Sequence, residues 1–195
     1  ANDLYYHDMS NMMIFPGNHD TDRIADVLNH SVPRQKIVMA LMATLRGIPQ
    51  LFYADELMGV SRDRSQGHGG LRIDFPLDWQ KDPVAVEVHD YTKALFNWRK
   101  TATAVHNGQT IHFLRRDNTY AYFRYNEDEV VFVFVNNSRR NEIIPWADYA
   151  EFTVEGAARR GAGAPALVSG QNVVTGETVD FSSPVKVGPR SALVV

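Results

Sequence analysis

The sequence predicts an α/β segment followed by an all-β antiparallel domain, and two changes of pattern along the chain support this fold class. Between residues 12 and 53, two short apolar runs flank a longer run of helix-forming residues. After Gly108, apolar and polar residues alternate with the period of half-buried strands. We therefore expect two domains, residues 1–108 and residues 109–195, with a boundary at Asn107-Gly108.

The first apolar run, Met12–Phe15, is followed at once by a turn and by polar side chains. The run is too short for a helix and is typical of a buried strand, which the turn residues Pro16-Gly17 end. Asn18-His19-Asp20 then places three hydrogen-bonding side chains in successive positions. Loops after buried strands are where α/β folds hold their ligand sites. This loop is therefore the principal candidate site.

A helix and a second strand follow this loop. Ile37–Leu45 is apolar on almost every face, Pro33 suits the first helical turn, and Gly47 suits a left-handed residue past the helix end. Ile48–Tyr53 predicts a second buried strand, closed by the acidic pair Asp55-Glu56. A strand–helix–strand unit has parallel strands. Both polar loops should therefore lie on one face of the sheet, as at the C-terminal face of a (β/α)8 barrel.

Three motifs carry a resemblance to a known family. Phe15–Arg23, with Asn-His-Asp at its centre, resembles a signature of the α-amylase family of glycoside hydrolases (family 13). Gly47–Glu56 resembles the family's motif at barrel strand eight, with Ala54 where a glycine is usual. Gly69–Pro76 resembles a motif of the neopullulanase and cyclomaltodextrinase branch of this family. The first two motifs occur in the family's order, which makes the pair more specific than either motif alone.

The resemblance implies the architecture of both domains. The first would be the C-terminal part of a (β/α)8 TIM barrel, with strands seven and eight and their helices, and the second the antiparallel β-sandwich called domain C. A complete barrel takes roughly 250 residues, and this chain has 195. We therefore expect the C-terminal part of a longer enzyme. The family's nucleophile and general acid lie on strands four and five, outside this chain, so the chain alone should be inactive.

The resemblance also assigns roles to site residues. Asp20 corresponds to the family's third carboxylate and would have a catalytic role, gripping sugar hydroxyls by bonds that strengthen in the transition state. His19 and Arg23 would belong to the substrate site, His19 as a donor to the same sugar and Arg23 as a bracing charge. As a helix-surface residue, Arg23 could equally be exposed. From the residues alone, Asp20 could be the N-cap of a helix over Thr21–Asp26.

Three functions remain open at this stage. The first is a retaining glycoside hydrolase acting on α-glucans such as maltooligosaccharides, cyclodextrins, pullulan or starch. The second is a transferase or isomerase of the same family, and the third is a non-catalytic sugar-binding β-sandwich. No cofactor or metal is implied. The doublets His7-Asp8 and His19-Asp20 resemble those of metal-dependent HD-type phosphohydrolases, but those doublets lie on helices, whereas His19-Asp20 follows a strand and a turn.

Residues 57–83 have no clear period and predict a long irregular loop. On the C-terminal face of a barrel, this loop would border the substrate cleft. Trp79 and Phe75 could stack on sugar rings there or could anchor the loop. An amphipathic helix should follow, with one apolar stripe formed by Val88, Tyr91, Leu95, Trp98 and Ala102.

The second domain should be an antiparallel sandwich of about eight strands. Thr119–Tyr125 and Val130–Val135 predict a hairpin, and Gly156–Pro165 predicts a loop. The other predicted strands are Ile111–Leu114, Glu151–Val154, Thr178–Phe181, Val185–Val187 and Ala192–Val195.

Charge and composition limit the partners. The formal charge of −3 gives no basic field for nucleic acid or for an anionic membrane surface. No apolar run reaches the roughly 18 residues of a membrane-spanning helix, and the absence of cysteine excludes disulfides. The expected partner is an α-glucan. A partial barrel would also leave an open strand edge, through which a homodimer could form.

Overall fold

The computed structural model describes residues 5–160 and 166–195. Its internal contacts divide the chain into two units, Ala1–Asn97 and Trp98–Val195. The division falls upstream of the predicted boundary at Asn107-Gly108. The short helix Thr103–Asn107 accordingly belongs to the second unit.

The first unit contains the predicted strand–helix–strand order. Its regular elements are β1 (Met13–Ile14), α1 (Ile24–Val27), α2 (Val32–Thr44), β2 (Ile48–Pro49) and the start of α3 (Pro83–Arg99). Short 3₁₀-helical segments lie at Met9–Asn11 before β1, and at Asp55–Leu57, Arg64–Leu71 and Trp79–Lys81 between β2 and α3. The segment Arg64–Leu71 is interrupted by a kink at Gly67.

Strands β1 and β2 pair in parallel, with Met13 opposite Ile48, which confirms the predicted βαβ unit. Helix α2 connects them and has proline in its first turn. Gly47 precedes β2 with a φ of 118°, and a Cβ there would lie 2.6 Å from the carbonyl oxygen of Met12. Glycine is therefore required where the chain turns from α2 into the sheet.

The prediction that the two strands are buried is wrong for several of their side chains, which are exposed. Met13 is 56% exposed and Ile48 is 54% exposed, and Phe15 just after β1 is also exposed. Among the described residues this sheet has two strands only, so the outer edge of each strand has no further strand beside it. A closed barrel would bury these side chains, and the barrel itself remains a prediction.

The second unit is mainly antiparallel sheet. Its strands are β3 (Gln109–Arg116), β4 (Thr119–Tyr125), β5 (Val130–Asn136), β6 (Glu142–Ile143), β7 (Ser169–Gln171), β8 (Thr178–Asp180), β9 (Lys186–Val187) and β10 (Ser191–Val194). Helices α4 (Thr103–Asn107) and α5 (Val154–Arg160) accompany them. The described residues form a four-stranded sheet in the order β10-β5-β4-β3 and two two-stranded sheets, β6-β9 and β7-β8.

An aromatic core holds the second unit together. Phe123 on β4 stacks on Phe152 with a ring-centroid distance of 3.7 Å, and Phe132 on β5 lies beside Phe123 at 4.6 Å. The predicted hairpin is therefore confirmed. Strands β4 and β5 pair in antiparallel register, and their aromatic rings pack in one core.

One predicted strand of this unit, Glu151–Val154, is wrong. The segment is the end of a 3₁₀-helix, Trp146–Phe152, followed directly by α5. The hydroxyl of Thr153 accepts a hydrogen bond from the Gly156 N–H at 3.1 Å, the geometry of a helix N-cap. The predicted loop Gly156–Pro165 is helical up to Arg160, and residues 161–165 lie outside the described residues.

Candidate functional site

The loop after β1 is shaped by its own polar side chains. The side-chain oxygen of Asn18 accepts a hydrogen bond from the Asp20 N–H at 2.8 Å, and the hydroxyl of Thr21 accepts one from the Asn18 N–H at 2.9 Å. These bonds form a tight Asx-type turn. The turn leaves the side chains of His19 and Asp20 exposed by 54% and 55%.

The Asp20 carboxylate lies between two imidazoles. Its Oδ1 is 3.1 Å from Nδ1 of His68, and its Oδ2 is 3.2 Å from Nε2 of His19. The hydrogen bond from His68, together with the charges of His19 and Arg72, holds the pKa of Asp20 below its ordinary value. Asp20 is therefore an ionised, solvent-facing acceptor at neutral pH.

The N-cap alternative for Asp20 is wrong. Helix α1 begins only at Ile24, with Arg23 in the cap position and no side-chain cap bond. The Asp20 carboxylate instead contacts the two imidazoles. Its position is therefore not explained by the need to satisfy helical N–H groups.

Arg23 is buried, so the solvent-exposed alternative is also wrong. Its Nε donates to the carbonyl of Leu71 at 2.9 Å, and its Nη1 donates to the carbonyl of Tyr53 at 2.8 Å. Nη1 also lies 3.3 Å from Oδ1 of Asp55, and the guanidinium lies over the ring of Phe52 at 4.5 Å. Arg23 thus joins the start of α1 to the chain after β2. A buried guanidinium with these partners fits the bracing role better than direct contact with a substrate.

Asp55 is buried beside Arg23. Burial raises the pKa of Asp55 to about 7, although the Arg23 guanidinium opposes this rise. Gln35 on α2 donates to the backbone carbonyl of Asp55 at 2.8 Å and holds this turn against the helix. Ala54, at the position where the family motif usually has glycine, has a φ of 66°. Ala54 thus differs from the motif in residue type, but its backbone adopts the left-handed conformation that usually favours glycine.

The structure brings to the loop of Asp20 two residues that the sequence analysis did not assign to the site, His68 and Arg72, the latter within the motif Gly69–Pro76. Arg72 Nη1 donates to the carbonyl of His68 at 2.7 Å and to that of His19 at 3.4 Å, so it links the two loops. The only sequence signal for His68 was its place in Gly67-His68-Gly69-Gly70, an imidazole held on a glycine-rich turn.

The two aromatic residues of the long loop have different surroundings. Trp79 lies against His89, with ring centroids 4.3 Å apart, and packs on the small core of Ala54, Leu57 and Ala85. Trp79 therefore anchors the loop. Phe75 is exposed and is available to meet a ligand.

The site has the chemistry of a polar ligand site. An ionised carboxylate can accept hydrogen bonds from hydroxyl groups, and the neighbouring imidazole of His19 can donate one. Among the described residues, no three His, Asp or Glu side chains are grouped as metal ligands would be. In the same part of the chain, no helix has the length and apolar character needed to cross a membrane.

Comparison with known proteins agrees with the motifs. Residues 110–195 match the profile described as the cyclo-malto-dextrinase C-terminal domain. A maltogenic α-amylase of Bacillus acidopullulyticus is 27% identical over 144 residues, which are 71% of this chain and 24% of that protein. These similarities support the resemblance of this chain to the C-terminal part of α-amylase-family glycoside hydrolases.

Solved structures of α-amylases share the fold. The Anoxybacillus α-amylase matches 99% of this chain and 39% of its own, with a TM-score of 0.75 and 17% identity. The α-amylase of Geobacillus thermoleovorans, solved with acarbose, matches 95% of this chain and 38% of its own, with a TM-score of 0.70 and 18% identity. The chain spans about a quarter of the length of the curated relatives that it matches.

Proposed function

We propose that this chain supplies the C-terminal part of the catalytic barrel, together with domain C, of a retaining glycoside hydrolase that cleaves α-glucans. The observation that carries the proposal is Asp20. It is an exposed, ionised carboxylate on the loop after a parallel strand, within the Asn-His-Asp motif. In this family, that motif contributes the third carboxylate of the active site.

The proposed role of Asp20 follows from the reaction. Retaining glycosidases need a nucleophile and a general acid about 5 Å apart, and their transition state carries positive charge on the sugar ring. In our proposal, the longer enzyme supplies these two groups. Asp20 accepts bonds from the sugar hydroxyls next to the cleaved bond, and His19 donates to the same sugar. These bonds strengthen as the ring distorts, so they lower the barrier and add less to ground-state binding.

Arg23 has a different part in this proposal. It positions the loop through the Leu71 and Tyr53 carbonyls and through Asp55, and it does not contact the sugar. Residues 109–195 act as domain C, and the profile match over nearly the same range supports this part of the proposal. The chain alone lacks nucleophile and acid and is proposed to be inactive. We propose no cofactor, no nucleic-acid partner and no membrane partner.

A glucanotransferase of the same family is the second candidate. The reason to retain it is that a transferase would share these site residues and would differ in its acceptor loops. A non-catalytic sugar-binding β-sandwich is less well supported, because the first unit has its own ordered site around Asp20.

The test is product analysis with the full enzyme that carries this chain. Incubation with maltooligosaccharides, a cyclodextrin and pullulan should release new reducing ends, and the isolated chain should release none. Products longer than the substrate, at constant reducing-end content, would favour the transferase. Absence of any product, with retained binding of oligosaccharide to residues 109–195 alone, would favour the binding module. Turnover by the isolated chain would contradict the proposed inactivity.

A further inference from the structure

We propose that His68 is a positioning residue for Asp20, fixing the carboxylate in the orientation that meets the sugar. The inference rests on the proposed function and concerns a residue outside the family motifs that defined the site. The geometry behind it is the 3.1 Å contact between His68 Nδ1 and Asp20 Oδ1, which leaves Oδ2 to His19 at 3.2 Å.

The segment that carries His68 is held in place at several points. The Asp63 side chain accepts a bond from the Ser65 N–H at 2.8 Å and starts the turn. The Gly70 carbonyl accepts a bond from the Arg62 N–H at 3.0 Å. A Cβ on Gly70 would lie 2.0 Å from the Asp63 carbonyl oxygen, so only glycine allows the backbone at residue 70 to come this close to the backbone of Asp63. His68 is therefore held by a tightly closed turn.

Two arginines tie the same segment to the loop of Asp20 and to the residues that follow that loop. Buried Arg23 binds the carbonyl of Leu71 at 2.9 Å. Arg72 binds the carbonyls of His68 and His19. These bonds set the distance between the two loops without using the imidazole. The imidazole is thus left to act on the Asp20 carboxylate.

A positioning role is needed because Asp20 is exposed. A half-exposed carboxylate can rotate among several staggered conformers, and catalysis by oriented groups is sensitive to such misplacement. His19 is the adjacent residue and shares the same turn, so it cannot fix the carboxylate against the rest of the site. His68 comes from a separate segment and can. The charged and titratable groups facing Asp20 from these segments are His19, His68 and Arg72.

Two amide variants of His68 test whether a donor at the position of Nδ1 is what positions the Asp20 carboxylate. In His68→Asn, the amide nitrogen stands as many bonds from the backbone as Nδ1 of histidine, so it can still donate to Asp20. In His68→Gln, the amide nitrogen stands where Nε2 was. We therefore expect asparagine to restore positioning, and glutamine and alanine not to restore it.

The expected effect on the full enzyme is a loss of turnover. Because the contact is exposed to solvent, we expect only a modest effect: His68→Ala should lower kcat about 3- to 6-fold with little change in KM. His68→Asn should stay within about 1.5-fold of the wild type. His30→Ala is the matched control, because His30 is a similarly exposed histidine, 3.1 Å from Asp26, in the same unit. It should leave kcat unchanged.

A second readout needs no activity. Carboxyl NMR titration of the 195-residue chain should show the pKa of Asp20 rising toward its ordinary value in His68→Ala and staying low in His68→Asn. Urea unfolding of His68→Ala should match the wild type, which separates positioning from stability. Normal kcat and an unmoved Asp20 titration in His68→Ala would overturn the inference. If Asp20→Asn itself keeps normal turnover, the proposed function of Asp20 fails instead.

Discussion

The buried Arg23–Asp55 pair offers the clearest test of how the site is held. Replacing Arg23 by leucine removes the charge partner of a buried carboxyl and leaves two carbonyls, of Tyr53 and Leu71, without their donor. Removing one partner of a buried pair costs about 3–5 kcal/mol. Each orphaned carbonyl costs about 1–3 kcal/mol more. Because these contributions share one side chain, they do not add fully. We expect a loss of at least about 4 kcal/mol in the free energy of unfolding.

The assay is urea denaturation of the chain, followed by circular dichroism. Arg72→Leu is the matched control, since Arg72 is an exposed arginine in the same site, and it should cost less than about 1 kcal/mol. The loss for Arg23→Leu should be larger at pH 8 than at pH 6, because protonation of Asp55 removes the orphaned charge. A change for Arg23→Leu within about 1 kcal/mol of the wild type would refute the assigned bracing role.

Two further predictions concern pH and assembly. Since burial raises the pKa of Asp55 to about 7, above its unfolded value near about 3.9, its contribution to stability is complete below about pH 4 and is lost as pH rises through about 7. Urea unfolding between pH 4 and pH 8 should show this decline, and Asp55→Asn should flatten it; an equal slope in both proteins would exclude Asp55 as the cause. The exposed apolar side chains on β1 and β2 should let two chains pair, giving a concentration-dependent dimer in analytical ultracentrifugation. Met13→Lys with Ile48→Lys should shift it to monomer, and a strictly monomeric wild-type chain would contradict the dimer.

Much of the fold of the first unit could be predicted because local signals agreed with one another. The apolar run of α2, the proline in its first turn and Gly47 all indicated a helix that ends in a tight turn before a parallel strand. The burial of Arg23 could not be predicted in the same way. It depends on where the carbonyls of Tyr53 and Leu71 lie, and no periodic pattern fixes the irregular stretch between them.

The site could be predicted only in part from the sequence. The Asn-His-Asp motif predicts His19 and Asp20 as site residues, and their roles stay predictions. The N-cap alternative for Asp20 is wrong, because the Asn18 side chain closes a turn at Asp20 and α1 begins only at Ile24. His68 reaches Asp20 through a turn without periodicity. In the second unit, the predicted strand Glu151–Val154 is wrong. The local cap at Thr153 and the packing of Phe152 on Phe123 favoured helical turns instead.

The most direct test of the proposed catalytic site is the Asp20→Asn substitution in the full enzyme, with kcat and the Kd for a maltooligosaccharide measured side by side. Asparagine keeps the size of aspartate but loses the negative charge that opposes positive charge on the sugar ring. Groups of this kind are worth about 10²–10³ in kcat, so we predict a fall of that size with Kd changed by less than about tenfold. Near-normal turnover by a folded Asp20→Asn enzyme would contradict the catalytic assignment.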